Sequence, residues 1–284
     1  MTNNASDVLE LLQRHYAEAA DGLVDRPPSQ LRRGEGTEKN FFIMKIDLVG
    51  STQLLLSRRK STYLKLAHTY LSTIDSITQS YGADPNQVEY AGDSVIAYFE
   101  ESSTSAENVI SAACYSKSAV DQIKNLDTTL KSLQLKCKVV LHYASLIVSK
   151  IGPRANSITT AIGHPIHRVA KIEKDISPNI GRATPEFYQK VYVRNRRFLQ
   201  EVATERKIPV NKPSNSLASI NLGLGALGAS NFGMFHQPAP QNILSLLANP
   251  PPPPPITEPQ YEIEKTIIGY NLKWIMLFKE LGLF

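Results

Sequence analysis

The apolar positions of this chain switch repeatedly between helical spacing and strand-like runs. Val8, Leu11, Leu12, Tyr16 and Ala19 recur every three or four residues, which predicts an amphipathic helix over 5–22 with Ser6 or Asp7 as its cap. The next stretch, 25–39 (DRPPSQLRRGEGTEK), is polar and rich in Pro and Gly, so it reads as a connector. FFIMKIDLVGST, 41–52, then runs apolar residues and a single Lys into Asp47, Gly50 and Ser51-Thr52. That pattern predicts a buried strand leading into a helix capped by Ser51 and Thr52 and running to about Tyr81. A strand over 87–90, a tight turn at Ala91-Gly92 and a returning strand over 93–99 predict a hairpin. Positions 105–127 are again helical, 136–150 form a long strand, 151–159 a loop or hairpin tip, and 163–175 a helix with Ile166, Val169, Ala170 and Ile172 inward. Strands and helices interleaved in this way predict an α/β (α+β) sandwich, a mixed sheet flanked by helices.

Beyond 192 the pattern changes. The segment 213–233 is rich in Ser, Asn, Leu and Gly without a clear period, and 250–255 is a run of prolines that can only be an extended, stiff spacer. From 261 to 284 a helix-like pattern returns through Ile267, Ile268, Leu272, Ile275, Leu277 and Phe278. Lys265, Lys273, Lys279 and Glu280 interrupt it, so it predicts a docked amphipathic helix and no membrane span. The expected division is an N-terminal helix and linker (1–39), a main domain (40–200), a Pro-rich linker (201–258) and a C-terminal amphipathic helix (259–284).

Two acids carry the chemistry. A carboxylate such as Asp47 at the end of an apolar strand is unwelcome unless something pairs with it. Asp93 is a second lone acid, directly after Gly92 and between two strand-like runs. Isolated carboxylates at two strand ends suit a pair of hard divalent cations. The helix predicted behind Asp47 would offer free N–H groups to a phosphate. Taken singly, Asp47 also reads as a helix N-cap and Asp93 as a turn acid.

Four stretches in order, IDLVGST at 46–52, AGDSV at 91–95, VVLHY at 139–143 and GHPIHRVAKIE at 163–173, resemble the class III nucleotide cyclases over roughly 40–192. The resemblance makes 40–200 a nucleotide cyclase catalytic domain with a class III cyclase-like mixed sheet. It implies two divalent cations, Mg2+ or Mn2+, bridged by Asp47 and Asp93 with the backbone carbonyl of Leu48 as a further ligand. It also implies that the amides of Gly50, Ser51 and Thr52 meet the β- and γ-phosphates. Where related cyclases carry an Asn and, four residues later, an Arg on the late helix, this chain has His167 and Lys171, with Arg168 in play if the register is off by one. Lys keeps the charge without the planar fork. The family's late triphosphate-binding Lys has no counterpart past Tyr192.

Base selection follows from Glu89, which stands where adenylate cyclases typically carry a Lys, and from Thr160 at the family's second base-reading position. A carboxylate only accepts hydrogen bonds, which suits the N1–H and N2 amino group of guanine or the N3–H of uracil and not adenine. Tyr90 and Tyr143 are the bulky candidates for excluding purines. The short layout, DLVGST and the substituted His167 and Lys171 resemble bacterial pyrimidine cyclases of the Pycsar antiphage systems. That resemblance implies a UTP substrate, a cyclic UMP product and a separate effector that senses it. The alternatives are a guanylate cyclase and a degenerate nucleotide-binding module. The family builds its site between two subunits, which implies a homodimer with shared active sites.

Composition adds bounds. The net charge of +5 and pI near 9.0 are spread along the chain, as on an ordinary solvated surface, and call for no nucleic-acid partner. Cys114 and Cys137 have no metal-ligand spacing and read as free buried thiols. The first residues lack a basic-then-apolar signal pattern, so a cytoplasmic location is expected and membrane contact is not.

Overall fold

A strand that is apolar on both faces must be covered on both, and the computed structural model, which describes residues 5–19, 22–51, 53, 59–126, 130–131, 135–209 and 261–283, shows how. In β1 (Gly36–Val49), Phe42, Met44, Ile46 and Leu48 face one side and Phe41, Ile43, Lys45 and Asp47 the other. The first set joins a core with Leu66, Tyr70 and Ile74 of α2 (Lys60–Ser80) and Val109, Ala112 and Ala113 of α3 (Ala106–Gln122). The second set packs with Val140 and Val148 of β4 (Lys136–Ile151) beneath Val169 of α4 (His164–Asp175). Ile43 is fully buried, so Ile43→Ala would cost about 2–5 kcal/mol.

The remaining strands are β2 (Val88–Ala91), β3 (Ser94–Glu100), β5 (Ile158–Ile162), β6 (Gly181–Ala183), β7 (Leu199–Pro209) and β8 (Tyr261–Leu272). Their order in the sheet is β2-β3-β1-β4-β6-β8-β7, with β5 folded back on β4. β1 is antiparallel to both neighbours, with Asp47 opposite Ser94 on β3 and Lys138 on β4. β6 lies parallel to β4 after the α4 crossover and antiparallel to β8. The other helices are α1 (Ala5–Glu18), α5 (Pro185–Lys190) and α6 (Trp274–Glu280).

The mixed α/β sheet flanked by helices is as the pattern predicts. Four local expectations are corrected. The regular helix after β1 begins at Lys60 because Arg59 is extended (ψ 139°); Ser51 and Gln53 are helical, and Thr52 lies outside the described residues. The hairpin turn is Gly92-Asp93, closed by the pair Ala91↔Ser94, with Gly92 at φ +69°, so Asp93 sits at the tip and not in the strand. The charged stretch after 198 is strand β7. Residues Tyr261–Leu272 form strand β8 and not the expected amphipathic helix; only Trp274–Glu280 is helical. Thr266, Ile267 and Ile268 are β-branched, and a place in the sheet between β6 and β7 overrides the helical spacing.

One compact unit comprises 1–204 and 266–284, so the C-terminal segment belongs to the main domain. The second unit, 205–265, is described only at the outer ends of β7 and β8, and the Pro-rich run lies outside the described residues. No helix among the described residues is long and apolar enough to cross a membrane. Both cysteines are free and buried, which pushes each thiol up to about 12.

Candidate active site

Antiparallel pairing brings the two acids to one end of the sheet. Asp47 occupies the third-last position of β1, and Ser94, its partner across the pair, donates its hydroxyl hydrogen to the Asp47 carboxylate. Asp93 precedes Ser94 at the hairpin tip. Asp47 is half-buried and its carboxyl is held above the usual range. Burial is the main cause, the charges of Asp93 and Glu173 add to it, and the Ser94 hydrogen bond and Lys45 offset it. Gly50 (φ +84°) and Gly92 (φ +69°) turn the chain on either side, and a Cβ at either would meet nothing within 4 Å. Left-handed turns that favour glycine thus flank the two acids.

No group of three or more His, Cys, Asp or Glu side chains that could hold a metal ion gathers among the described residues. Hard oxygen donors, one of them desolvated and crowded by like charge, fit a divalent cation whose other ligands are backbone carbonyl, substrate and water. Leu48 is buried with its side chain in the α2/α3 core, leaving only its carbonyl for such a role. Ser51 is buried with helical backbone.

A second constellation forms across β2, β3 and β5. Glu89 Oε1 accepts from Thr160 Oγ1 at 2.6 Å, and Glu89 Oε2 accepts from the Tyr98 hydroxyl at 3.2 Å. The two base-reading candidates thus touch. Tyr98 is buried, and burial beside Glu89 pushes its phenol well up. Neither Tyr90 nor Tyr143 joins this group. Tyr90 is 53% exposed, while Tyr143 packs on Phe42 across the sheet and donates to Glu101 at 2.7 Å.

On α4, His167 and Lys171 are exposed, whereas Val169 and Glu173 point into the protein. Arg168 is drawn off to Glu186 of α5 at 2.8 Å and does not join them. Glu173 is only 7% exposed and takes two lysines, Lys45 at 3.2 Å and Lys138 at 3.3 Å. His142, 2% exposed, has Nδ1 2.9 Å from Thr184 Oγ1; burial lowers the imidazole to about 4, with Arg168 adding to the effect.

Sequence reasoning singled out neither Tyr98 nor the Lys45–Glu173–Lys138 group. Each carried a signal, because a Tyr or Lys inside an apolar run needs a polar partner.

Solved structures share this fold. They include the guanylyl cyclase Cya2 (TM-score 0.52, 14% identical, covering 63% of this chain and 88% of that one). They also include the adenylyl cyclase CyaB from P. aeruginosa (TM-score 0.50, 17% identical, 60% and 87%). A third is a class III adenylyl cyclase-like ATP-binding protein from Pseudomonas aeruginosa (TM-score 0.55, 13% identical, 68% and 45%). The chain has the class III cyclase fold. No family model matches it. Uncharacterized proteins of Mycobacterium bovis and Mycobacterium tuberculosis are 26% identical to it over 168 residues, 58% of this chain. The chain spans 29% of the length of these curated relatives. In this cyclase fold, Asp47 with Asp93, and Glu89 with Thr160, are two residue groups that the backbone itself brings together.

Proposed function

We propose that the chain is a nucleotide cyclase that converts a nucleoside triphosphate, UTP first, to the 3′,5′-cyclic monophosphate. The observation that carries this reading is the placement of Asp47 and Asp93 at one sheet end, where Asp47 stands opposite Ser94, the residue after Asp93, and burial and the Asp93 charge both oppose its ionisation. In the reaction the 3′-hydroxyl gives its proton to solvent, its oxygen bonds to the α-phosphorus, and the bond from the α-phosphorus to the bridging oxygen breaks as pyrophosphate leaves. Two divalent cations, Mg2+ or Mn2+, held by Asp47, Asp93 and the Leu48 carbonyl, would supply the charge that acidifies the hydroxyl and neutralises the phosphates.

The chain's own residues do the rest. Amides of Gly50, Ser51 and Thr52 receive the phosphate tail, His167 hydrogen-bonds the ribose, and Lys171 answers the charge that develops on the phosphoryl group. Both α4 side chains face outward, which supports a site completed between two copies in a homodimer.

Glu89 reads the base through N–H donors. The resemblance to pyrimidine cyclases puts uracil first, with cyclic UMP as an antiphage messenger for a separate effector. A specific observation favours GTP as the second reading. The Thr160 proton is spent on Glu89, so both side chains turn acceptors toward the base, and guanine offers two adjacent donors where uracil offers one.

The test is turnover of each of the four ribonucleoside triphosphates with Mn2+, products resolved by mass, with Asp47→Ala as control. Cyclic UMP that disappears in the control is the expected result; cyclic GMP would move the base and keep the site. Nucleotide binding without any cyclic product would replace the enzyme by a binding module.

A further inference from the structure

Three charged side chains lie on the α4 face of the sheet, at positions that the neighbouring residues Phe41, Ile43 and Val140 fill with hydrocarbon. Lys45 and Glu173 are 9% and 7% exposed, and Lys138 bonds both the Glu173 carboxylate at 3.3 Å and the Glu173 carbonyl at 3.1 Å. A buried ion group of this kind stabilises weakly or not at all compared with apolar side chains of the same volume. Its position indicates another use. Lys138 stands directly opposite Asp47 across the β1–β4 pair, and Lys45 precedes Asp47 by two residues on the same face of β1. Glu173 lies on α4, downstream of His167 and Lys171.

We propose that Glu173, gripped by Lys45 and Lys138, is a positioning residue that links cation binding at Asp47 and Asp93 to the placement of α4. The proposal rests on the reading of those two acids as cation ligands. Without a cation, the Lys45 ammonium group is shared between Glu173 and the negative field of Asp47, and Lys138 stands on the strand position opposite Asp47. Positive charge added at the acids repels both lysines and leaves Glu173 as their nearest counter-charge, which tightens the hold on α4. Linkage makes the effect reciprocal: removing the Glu173 charge that holds both ammonium groups weakens the cation site. The clamp thereby couples loading of the acids on β1 and β3 to presentation of His167 and Lys171.

The experiment measures Mn2+ binding by electron paramagnetic resonance of the free ion, and hydrogen exchange of 164–175 with and without Mn2+, in the full chain. In the wild type, Mn2+ should slow exchange in 164–175. In Glu173→Gln two uncompensated ammonium groups flank the acids, so the Mn2+ dissociation constant should rise roughly three- to tenfold and the Mn2+-dependent protection should vanish. Lys45→Met removes one of those charges and should bind Mn2+ at least as tightly as the wild type while showing weaker protection. That opposite sign is not expected of residues with a merely structural role. Folded Glu173→Gln that binds Mn2+ like the wild type and keeps the protection would overturn the clamp. If Glu173→Gln does not fold, Lys45→Met decides, and unchanged protection there overturns the clamp. Mn2+ binding that survives Asp47→Asn marks failure of the cation-site reading instead.

Discussion

Replacing Asp47 with Asn should stabilise the cation-free protein while abolishing turnover. The native state holds the Asp47 proton more tightly than the unfolded chain does, because burial and the charges of Asp93 and Glu173 oppose ionisation. With the native pKa raised, ionising Asp47 costs stability. The cost is absent in acid, appears as pH rises through the unfolded and then the native pKa, and is fully present at neutrality. Asn keeps the shape and still accepts from Ser94, so only the charge is lost. Removing a desolvated charge is worth a few kcal/mol when burial is complete. Half-burial and the lost charge-assistance of the Ser94 bond bring the net gain to about 1 kcal/mol. For a unit of this size that is about 2–4 °C in Tm. Thermal unfolding in EDTA at neutral pH, repeated with Mn2+, is the assay: Asp47→Asn should melt higher without cation, and only the wild type should gain from Mn2+. A variant that melts several degrees lower in EDTA would refute the reasoning, because the carboxylate would then be a structural partner within the turn.

Glu89→Gln replaces one acceptor with a donor, so discrimination of UTP and GTP against ATP and CTP in kcat/KM should fall about ten- to hundredfold, the worth of one or two charge-assisted hydrogen bonds; unchanged ratios would remove Glu89 from base reading. Asp47→Ala and Lys171→Ala proteins, each inactive alone, should partly restore activity when mixed under exchange conditions, and inactive mixtures would count against a shared site. Stability should fall as pH drops from about 6.5 toward 4, because the unfolded chain protonates His142 while the native pocket of Thr184, Glu186, His164 and Arg168 keeps it neutral at about 4. Denaturant titrations across that window should show a loss of at most about 3 kcal/mol that His142→Gln flattens.

What the sequence made legible depends on whether the information is local. The run from Phe41 to Ile46 announces a strand buried on both faces because both sides of its period are apolar, and the structure covers both sides. Tyr261–Leu272 misled because alternation and helical spacing are both satisfied by a short apolar set, and the strand is set by its sheet neighbours β6 and β7, which no local window contains. The same limit governs the candidate site. Asp47 and Asp93 stand out because each breaks a strong local pattern, whereas Tyr98, Lys45, Lys138 and Glu173 find their partners only through register: Glu89 opposite Ile96 places Tyr98 beside it, and Asp47 opposite Lys138 puts that lysine on the facing strand position. Register follows from the turns, since a two-residue loop at Gly92-Asp93 fixes every pair of the hairpin. The turn Gly92-Asp93 is therefore where the sequence says most about this site. One inserted residue there would shift β2 by one position against β3 and send Glu89 to the opposite face from Tyr98 and Thr160.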